Sequence, residues 1–361
     1  MRAKKWAATA IVAGIGALFL SQAATAAEPE PKNVLNIYNW SDYIPPNLIK
    51  NFEKDTGIKV RYDIFDAMKL SMQNSWQVER VTISLFPARY SPSCKLKVAY
   101  FKKLIKKKLV TDDPGNQYLV DWVWGYMNVA INPDKVKKAL GNEPMPKNPW
   151  SLIFDPKYAK KVASCGLSVT DSAIEVLPLS LIYLGKDPAS TNPADYKAAE
   201  NLLLSIRPYV KNITSTGFID DLVSGNLCVA MSYSSSSNLA AHKAALAKSG
   251  NTIESMPSNS NSIIYFDTLA IPKDAKHVDN AYKFINYILQ PKISASITNK
   301  TFAGNPNTES KPYVDKALLK NNTIFLSPEE LDQLHPPVNF TNKIRALQNR
   351  AFRTFTIDRR F

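Results

Sequence analysis

Three carboxylates lie beside aromatic residues or at the ends of predicted elements, and they are the residues best suited to bind a cation. They are Asp42, Glu175 and Asp267. Carboxylates that converge with Trp and Tyr rings can hold a desolvated ammonium group, because charge-assisted hydrogen bonds add to cation–π attraction. Two such carboxylates at opposite ends of a cleft would select a diamine. In the structural alternative, Asp42 caps the following helix and Glu175 lies on the surface.

Catalytic and metal chemistry find less support in the sequence. A carboxylate pair could hydrolyse glycosides, but the sequence does not give the distance between the two carboxyl groups. No Gly-rich phosphate loop, G-x-S-x-G motif, CxxC motif or Cys/His cluster occurs, and three histidines give little support to zinc or a His-based triad. We therefore expect neither an enzyme nor a cofactor, and an exported carboxylate-pair hydrolase ranks last among the alternatives.

Alternating strands and helices must position these carboxylates. Residues 34–40 predict a strand, residues 47–54 a helix that Gly57 ends, and residues 58–65 a second strand. A strand–helix–strand unit implies a parallel sheet and an α/β fold. The other predicted elements are strands at 226–232 and 263–271 and helices at 133–140, 195–206 and 278–289.

In open α/β sheets, ligands bind beyond the carboxyl ends of the strands. This rule directs attention to residues 40–43 after the first strand and to the residues after the strand that ends near Ser232. Tyr233 and a serine run at 234–237 occupy the second position. Residues 265–267 lie within the strand at 263–271. The candidate carboxylates Asp42 and Asp267 are therefore placed where a ligand is expected.

Length and charge bound the class of protein. The chain has 361 residues, 45% hydrophobic and 21% charged, which excludes disordered, collagen-like and coiled-coil proteins and favours two domains. A net charge of +14 invites a nucleic acid or a membrane surface as partner. The Lys-rich run at 101–108 is the best nucleic-acid candidate, but a solvated helix face is the commoner explanation. We expect no nucleic-acid partner.

The N-terminus predicts export. Arg2, Lys4 and Lys5 precede an apolar run at 6–20, and small residues permit cleavage after Ala26 or Ala27, as in a secretory signal peptide. An uncleaved membrane anchor is the alternative. The cleavage point carries no Cys, so we do not expect a lipid anchor. Cleavage of the signal peptide removes three of the 45 basic residues and no acidic residue, which lowers the formal net charge from +14 to +11. An exported compartment also permits disulfides, although three cysteines allow at most one internal pair and their spacing does not choose it.

Motifs along most of the mature chain match those of a known family. The first two are N-I-Y-N-W-S-D-Y-I at 36–44 and F-E-K-D-T-G-I-K-V at 52–60. Further matches follow in the family's order at 113–117, 164–168, 183–188, 226–230, 266–272 and 281–287. These motifs closely resemble those of periplasmic polyamine-binding proteins, and more specifically those of the putrescine-binding component of an ABC importer.

The resemblance implies an α/β protein of the two-lobed, type II periplasmic-binding-protein fold, whose lobes close on a ligand about a hinge with two crossovers. It implies a monomer in the periplasm that captures a polyamine, with putrescine favoured, and delivers it to the membrane permease of an ABC importer. The expected organisation is a signal peptide at 1–27, lobe 1 at 28–131 and 263–302, and lobe 2 at 132–262 and 303–361.

The family's site residues can be carried onto matching positions. The ligand-binding positions by this resemblance are Trp40, Ser41, Asp42, Tyr43, Glu175, Tyr233, Ser236, Tyr265 and Asp267. The sequence departs from the family at Ser236, where the family carries an aspartate, and Tyr233 keeps an aromatic where the family has tryptophan. The family's disulfide partners correspond to Cys165 and Cys228, which leaves Cys94 as a surplus thiol.

The resemblance stops between about residues 71 and 103, where the family's strand motif G-[YF]-D-[LI]-V-V-P-S is absent. Codons read one nucleotide earlier permit GYDIVVPSS between Arg80 and Tyr90, and SGIFQK between Val98 and Lys103. We hypothesise a frameshift near residues 71–74, compensated by a second indel between about residues 102 and 112. Divergence of the protein sequence is the alternative, and the nucleotide sequence of the gene decides between them.

The altered segment also has consequences for the fold and for function. Residues 81–86 are rich in β-forming residues and could substitute as a strand, although their side chains were not selected to pack there. The altered segment therefore leaves a second hypothesis for function. The protein would be a degenerate paralogue that does not transport, with impaired folding or ligand binding.

Overall fold

The structure is a computed structural model that describes residues 33–40, 43–65, 81–84, 119–256, 262–272, 275–338 and 340–357. Several predictions fall outside these residues: the signal peptide at 1–27, Ser41, Asp42, Cys94 and the Lys-rich run at 101–108. Residues 33–361 belong to one compact unit. In the described part of the chain, no helix combines the length and the apolar character that a membrane crossing requires.

One mixed sheet runs through the described chain. Its strands are β1 (Val34–Trp40), β2 (Lys59–Phe65), β3 (Val81–Ser84), β4 (Val120–Ile131), β5 (Leu167–Val169), β6 (Asn212–Ile213), β7 (Val229–Tyr233), β8 (Glu254–Ser255) and β9 (Ile264–Ala270). Their order is β2-β1-β3-β9-β4-β7-β5-β6, and β8 also pairs with β4.

The helices alternate with the strands over much of the chain, as an α/β fold requires. They are α1 (Leu48–Thr56), α2 (Pro133–Leu140), α3 (Ser151–Phe154), α4 (Pro156–Val162), α5 (Ala173–Tyr183), α6 (Pro193–Ile206), α7 (Phe218–Ser224), α8 (Ser234–Ala247), α9 (Val278–Ile288), α10 (Pro291–Thr301), α11 (Lys316–Leu319), α12 (Pro328–Gln333) and α13 (Asn342–Ile357).

Strand β4 belongs to both halves of the sheet. Its residues up to Tyr126 pair with β9, and its residues from Met127 onward pair with β7. Two buried cores lie on either side of this change of partner. One packs around Ile37, Trp122 and Phe284, and the other around Met127, Leu177 and Phe355. The backbone N–H of Met127 donates to the carbonyl of residue 263, and His335 forms a bridge with the same residue, so three chain segments meet where the cores join.

Local sequence signals explain the elements that were predicted. The first strand has the expected bounds, and so does the helix at 133–140, where the Asn132 side chain caps the backbone N–H of Lys135 and Pro133 occupies the first turn. Gly57 ends α1 in the left-handed conformation at φ 71°, which glycine adopts without steric cost. The other predicted elements are confirmed, each with at least one end displaced by one to three residues.

Two strands need separate comment. Strand β4 was not predicted, because all twelve of its residues are buried and its sequence therefore lacks the alternation that marks a half-exposed strand. Residues 81–84 form β3, parallel to β1 and antiparallel to β9. The expectation that this segment can serve as a strand is thus confirmed for the backbone of these four residues.

The structure joins Cys165 to Cys228, with their Cα atoms 5.5 Å apart, as the family resemblance implies. The bond ties the residue that precedes Gly166 and β5 to the residue immediately before β7. Because β5 and β7 are also paired in the sheet, the disulfide reinforces an existing contact between them.

Candidate functional site

Strand β9 positions Asp267 in the interior of the molecule. Only 1% of this residue is exposed, and its Oδ2 atom is buried without a hydrogen-bond partner in the described part of the chain. The Tyr43 hydroxyl donates a hydrogen bond to the carboxylate. Burial raises the pKa of Asp267 from 3.8 to about 7, with a further contribution from the charge of Glu175, while the bond from Tyr43 acts in the opposite direction.

Helix α5 positions Glu175 in its first turn. The Tyr233 hydroxyl donates to Glu175 Oε1 over 2.8 Å, whereas Oε2 is buried and has no partner within the described residues. Burial raises the pKa of this carboxyl group, and the hydrogen bonds from Tyr233 and Ser172 partly offset that rise. The alternative that Glu175 lies on the surface is wrong, because the side chain is half-buried and faces Tyr233.

Aromatic rings connect the two carboxylates. The rings of Tyr233 and Tyr265 pack edge to face with centroids 5.4 Å apart. Burial is the main reason that the pKa values of Tyr43, Tyr233 and Tyr265 lie above their ordinary value, and the charge of Asp267 raises all three further. The three hydroxyls are therefore protonated hydrogen-bond donors at neutral pH. We call Tyr43, Glu175, Tyr233, Tyr265 and Asp267 the carboxylate–tyrosine cluster.

Gly125 and two serines hold Tyr265 in place, and the sequence reasoning did not identify them as site residues. Gly125 lies opposite Tyr265 in the sheet, where a Cβ atom would collide with the tyrosine ring and hydroxyl. The Tyr265 hydroxyl is 2.9 Å from Ser235 Oγ, and Ser234 Oγ accepts a bond from the backbone N–H of Tyr126. The sequence showed a run of serines after β7, but the residue at which α8 begins decides which of these serines faces Tyr265.

The other expected site residues are placed less centrally. Trp40 packs near Tyr43, with ring centroids 6.4 Å apart. Ser236 is half-buried in the first turn of α8, whereas its neighbours Ser234 and Ser235 contact Tyr265. Ser41 and Asp42 lie outside the described residues. Asn47 occupies the N-cap position of α1.

Within the described residues, no basic side chain pairs with the two carboxylates of the cluster. Glu175 and Asp267 each keep one buried oxygen without a partner, and neither takes part in any ion pair found in the described residues. No group of side chains that could hold a metal ion occurs there either. Since a buried carboxylate without a partner is costly, an organic cation with N–H donors is the natural complement of this site.

Comparison with known proteins assigns the chain to a family. The family model described as bacterial extracellular solute-binding protein matches residues 47–325, more than half of the chain. The chain belongs to this family. It is therefore a solute-binding protein rather than an enzyme, and the hydrolase alternative is wrong.

Relatives of this solute-binding protein match it over nearly its whole length. It is 34% identical over 343 residues to the putrescine-binding periplasmic protein SpuD of Pseudomonas aeruginosa, covering 91% of this chain and 93% of the relative. It is 36% identical over 337 residues to the putrescine-binding periplasmic protein PotF of Escherichia coli, covering 89% and 90%. Similarity of this extent does not favour the degenerate-paralogue alternative.

Solved structures show the fold. The solute-binding protein superposes on the TpPotD lipoprotein of Treponema pallidum with a TM-score of 0.74 at 22% identity, covering 89% of this chain and 99% of the other. The spermidine/putrescine ABC transporter substrate-binding protein PotD of Streptococcus pneumoniae gives a TM-score of 0.70 at 22% identity, with 90% and 99% covered. The expected two-lobed α/β fold is confirmed.

Proposed function

We propose that this solute-binding protein captures a polyamine, with putrescine favoured, and delivers it to the membrane permease of an ABC importer. The observation that carries the proposal is the pair of buried carboxylates, Glu175 and Asp267. Each accepts a hydrogen bond from a tyrosine and keeps one oxygen without a partner among the described residues. The names of the putrescine-binding relatives support the same ligand class.

A diamine matches this pair of carboxylates chemically. Each terminal ammonium carries three N–H donors and a positive charge, and charge-assisted hydrogen bonds to a carboxylate are the strong ones. The faces of Tyr233 and Tyr265 offer apolar and cation–π contacts to the methylene chain and the ammonium groups. Trp40, Ser41, Asp42 and Ser236 complete the site that we propose on the basis of the family resemblance.

Ligand binding would favour closure of the two lobes, because some contacts are made only when both lobes approach. We propose that the lobes join within β4, where its partner changes between Tyr126 and Met127. In that division, Tyr265 belongs to one lobe, and Ser235 and Tyr233 to the other. The contacts of Tyr265 with Ser235 and Tyr233 then close the cleft.

The cellular setting follows from the N-terminal sequence and the family. We propose that the chain is exported, that its signal peptide is cleaved after Ala26 or Ala27, and that the mature protein acts as a monomer in the periplasm. A positive charge of the whole chain is compatible with a cationic ligand, since exposed charges beyond about 8 Å are largely screened at physiological salt. The local carboxylates therefore govern ligand choice.

Titration calorimetry of the mature protein tests the proposal. Putrescine should bind, whereas n-butylamine, which carries a single ammonium group, should bind more weakly. The Asp267→Asn variant should weaken putrescine binding, while Asp134→Asn, at an exposed position in α2, serves as the matched control and should not. A wild-type protein that folds but gives no heat and no rise in melting temperature with putrescine, spermidine or agmatine would contradict the proposal and restore the degenerate alternative.

A further inference from the structure

The first turn of α8 is hydrogen-bonded to strand β4 on both sides of the point where that strand changes its partner. On one side, Ser234 Oγ accepts a bond of 3.3 Å from the backbone N–H of Tyr126. On the other side, Ser237 Oγ donates to Asn128 Oδ1 over 2.8 Å. Both serines are buried, so these bonds lie away from bulk solvent. The serine run therefore attaches the start of α8 to β4.

The bond from Tyr126 to Ser234 takes the place of a bond between two strands. Strand β7 ends at Tyr233, which pairs with Met127, and the chain then turns into α8. Tyr126, the residue before Met127, pairs with β9 on its other side. The Ser234 side chain thus supplies the acceptor that a backbone carbonyl would supply if β7 were one residue longer. It keeps the buried N–H of Tyr126 satisfied next to the change of partner.

The same hydroxyl reaches the carboxylate–tyrosine cluster. The Tyr265 hydroxyl is hydrogen-bonded to Ser234 as well as to Ser235. Both Ser234 Oγ and the Tyr265 hydroxyl lie so close to Gly125 that a Cβ atom there would collide with them. Because a hydroxyl can accept and donate at once, Ser234 can accept from Tyr126 while it donates to Tyr265. One side chain therefore contacts both the backbone of β4 and a ring of the cluster.

One turn further along α8, Asn238 fixes this arrangement. Its Nδ2 donates to the Ser234 carbonyl over 2.8 Å. Its Oδ1 accepts from Asn321 Nδ2 and Thr323 Oγ1 over 2.9 and 3.0 Å. Since Asn238 is itself buried, this network opposes any movement of Ser234 away from β4.

On the basis of the proposed function, we propose that Ser234 is a positioning residue, which couples Tyr265 in the ligand site to β4 at the proposed junction of the lobes. A polyamine that packs against the Tyr265 ring restricts its motion, and the shared hydroxyl of Ser234 extends that restriction to the backbone of Tyr126. Occupation of the site is thereby linked to the junction by the protein's own contacts. If Ser234 were only structural, it would act independently of Tyr265.

A double-mutant cycle on putrescine affinity, measured by calorimetry, tests this coupling. Ser234→Ala and Tyr265→Phe should each weaken binding about three- to tenfold, the range for loss of a neutral hydrogen bond. In the Tyr265→Phe protein, Ser234→Ala should add less than about a twofold loss, because both changes remove the same bond. Ser205→Ala, at an exposed position in α6, is the control and should leave the affinity unchanged. Losses that multiply in the double variant would overturn the proposal.

Hydrogen exchange followed by NMR does not depend on the folding of a Ser234 variant. Putrescine should slow exchange of the Tyr126 amide in the wild type more than that of the Met127 amide, which donates to a backbone carbonyl. In Tyr265→Phe this difference should disappear, because the ring no longer bonds to Ser234. A difference that persists in Tyr265→Phe, or that is absent from the wild type, would overturn the proposal.

The two proposals fail in distinguishable ways. If the wild type binds putrescine while the cycle and the exchange rates show no coupling, only this inference fails. If the folded wild type binds neither putrescine, spermidine nor agmatine, the proposed function fails, and this inference fails with it.

Discussion

The two ends of the carboxylate–tyrosine cluster use the same chemistry on different supports. Asp267 lies on a central strand and accepts from Tyr43, and Glu175 lies in the first turn of a helix and accepts from Tyr233. The helix dipole favours a negative charge on Glu175, whereas Asp267 lies within the sheet and has no helix dipole to stabilise its charge. Burial, with a further contribution from the charge of Glu175, raises the pKa of Asp267 to about 7, close to physiological pH. The difference makes Asp267 the pH-sensitive end.

The largest difference between the ends should appear in the stability of the ligand-free protein. The pKa of Asp267 is raised from 3.8 to about 7, so the folded state holds a proton that the unfolded state has lost, and stability falls as pH rises through this window. Asp267→Asn should therefore raise the free energy of unfolding at pH 8 by roughly 2–4 kcal/mol, since each pKa unit corresponds to about 1.4 kcal/mol.

Urea denaturation without ligand, at pH 8 and at pH 5, measures this effect. At pH 5 the folded wild type keeps the proton on Asp267 while the unfolded state has lost most of it, so the gain from asparagine should fall by more than half and should disappear only near pH 3.8 and below. Glu175→Gln, the matched change at the other end, should give a smaller gain at pH 8. Equal gains from the two substitutions would remove the distinction between the ends.

The next largest effect should appear in ligand affinity at pH 8. Asp267→Asn should weaken putrescine binding by roughly 1.5–3 kcal/mol, the range for a hydrogen bond to a charged group. Glu175→Gln should cost less, because Asp267 is more deeply buried and its charge is less screened by water. Calorimetry compares the two variants, and unchanged affinity in Asp267→Asn would remove this residue from the site.

A smaller effect concerns the pH dependence of binding. Putrescine stays doubly protonated below about pH 8, because alkylamines have pKa values near 10. Below the pKa of Asp267, about 7, this carboxylate must lose a proton before it binds an ammonium group, so affinity should fall as pH is lowered. The fall approaches about tenfold per pH unit, or 1.4 kcal/mol.

Calorimetry from pH 6 to pH 8 on the wild type and the two variants locates the origin of this slope. Asp267→Asn should flatten it, whereas Glu175→Gln should keep it. A slope that survives in Asp267→Asn and disappears in Glu175→Gln would reverse the assignment of the two ends.

The smallest expected effect is the loss of a tyrosine hydroxyl at either end. Tyr43→Phe and Tyr233→Phe should each reduce putrescine affinity by about 0.5–1.5 kcal/mol, because each leaves one carboxylate oxygen without its donor. Tyr313→Phe is the matched control, since Tyr313 is 48% exposed and lies outside the cluster. Affinity that is unchanged in both cluster variants would show that the tyrosines contribute only their rings.

The sequence predicted most strongly where local signals agree. The first strand and the helix at 133–140 were predicted with their observed bounds, because caps, prolines and apolar patterns act within a few residues. Strand β4 could not be found in this way. Its two faces are covered by different partners, so its sequence is a nearly continuous apolar run that also carries Asp121.

The candidate site was predicted in part. Five of the expected residues meet in the carboxylate–tyrosine cluster. They could be predicted because the motifs that contain them resemble those of a known family. Ser235 and Gly125 were missed, since their contacts with Tyr265 depend on the start of α8 and on the pairing of β4 with β9. Neither fact is a property of a short stretch of chain.

Types of side chain and local elements were thus determined by the sequence itself, together with the ligand class that acids beside aromatic rings favour. Tertiary structure decided which groups lose water and which charges face one another. A pKa of about 7 at Asp267 and the burial of Asp121 arise because β4 and β9 pair with a bulge at Trp122. Desolvation depends on neighbours distant along the chain, so only the folded protein sets how readily each carboxylate ionises.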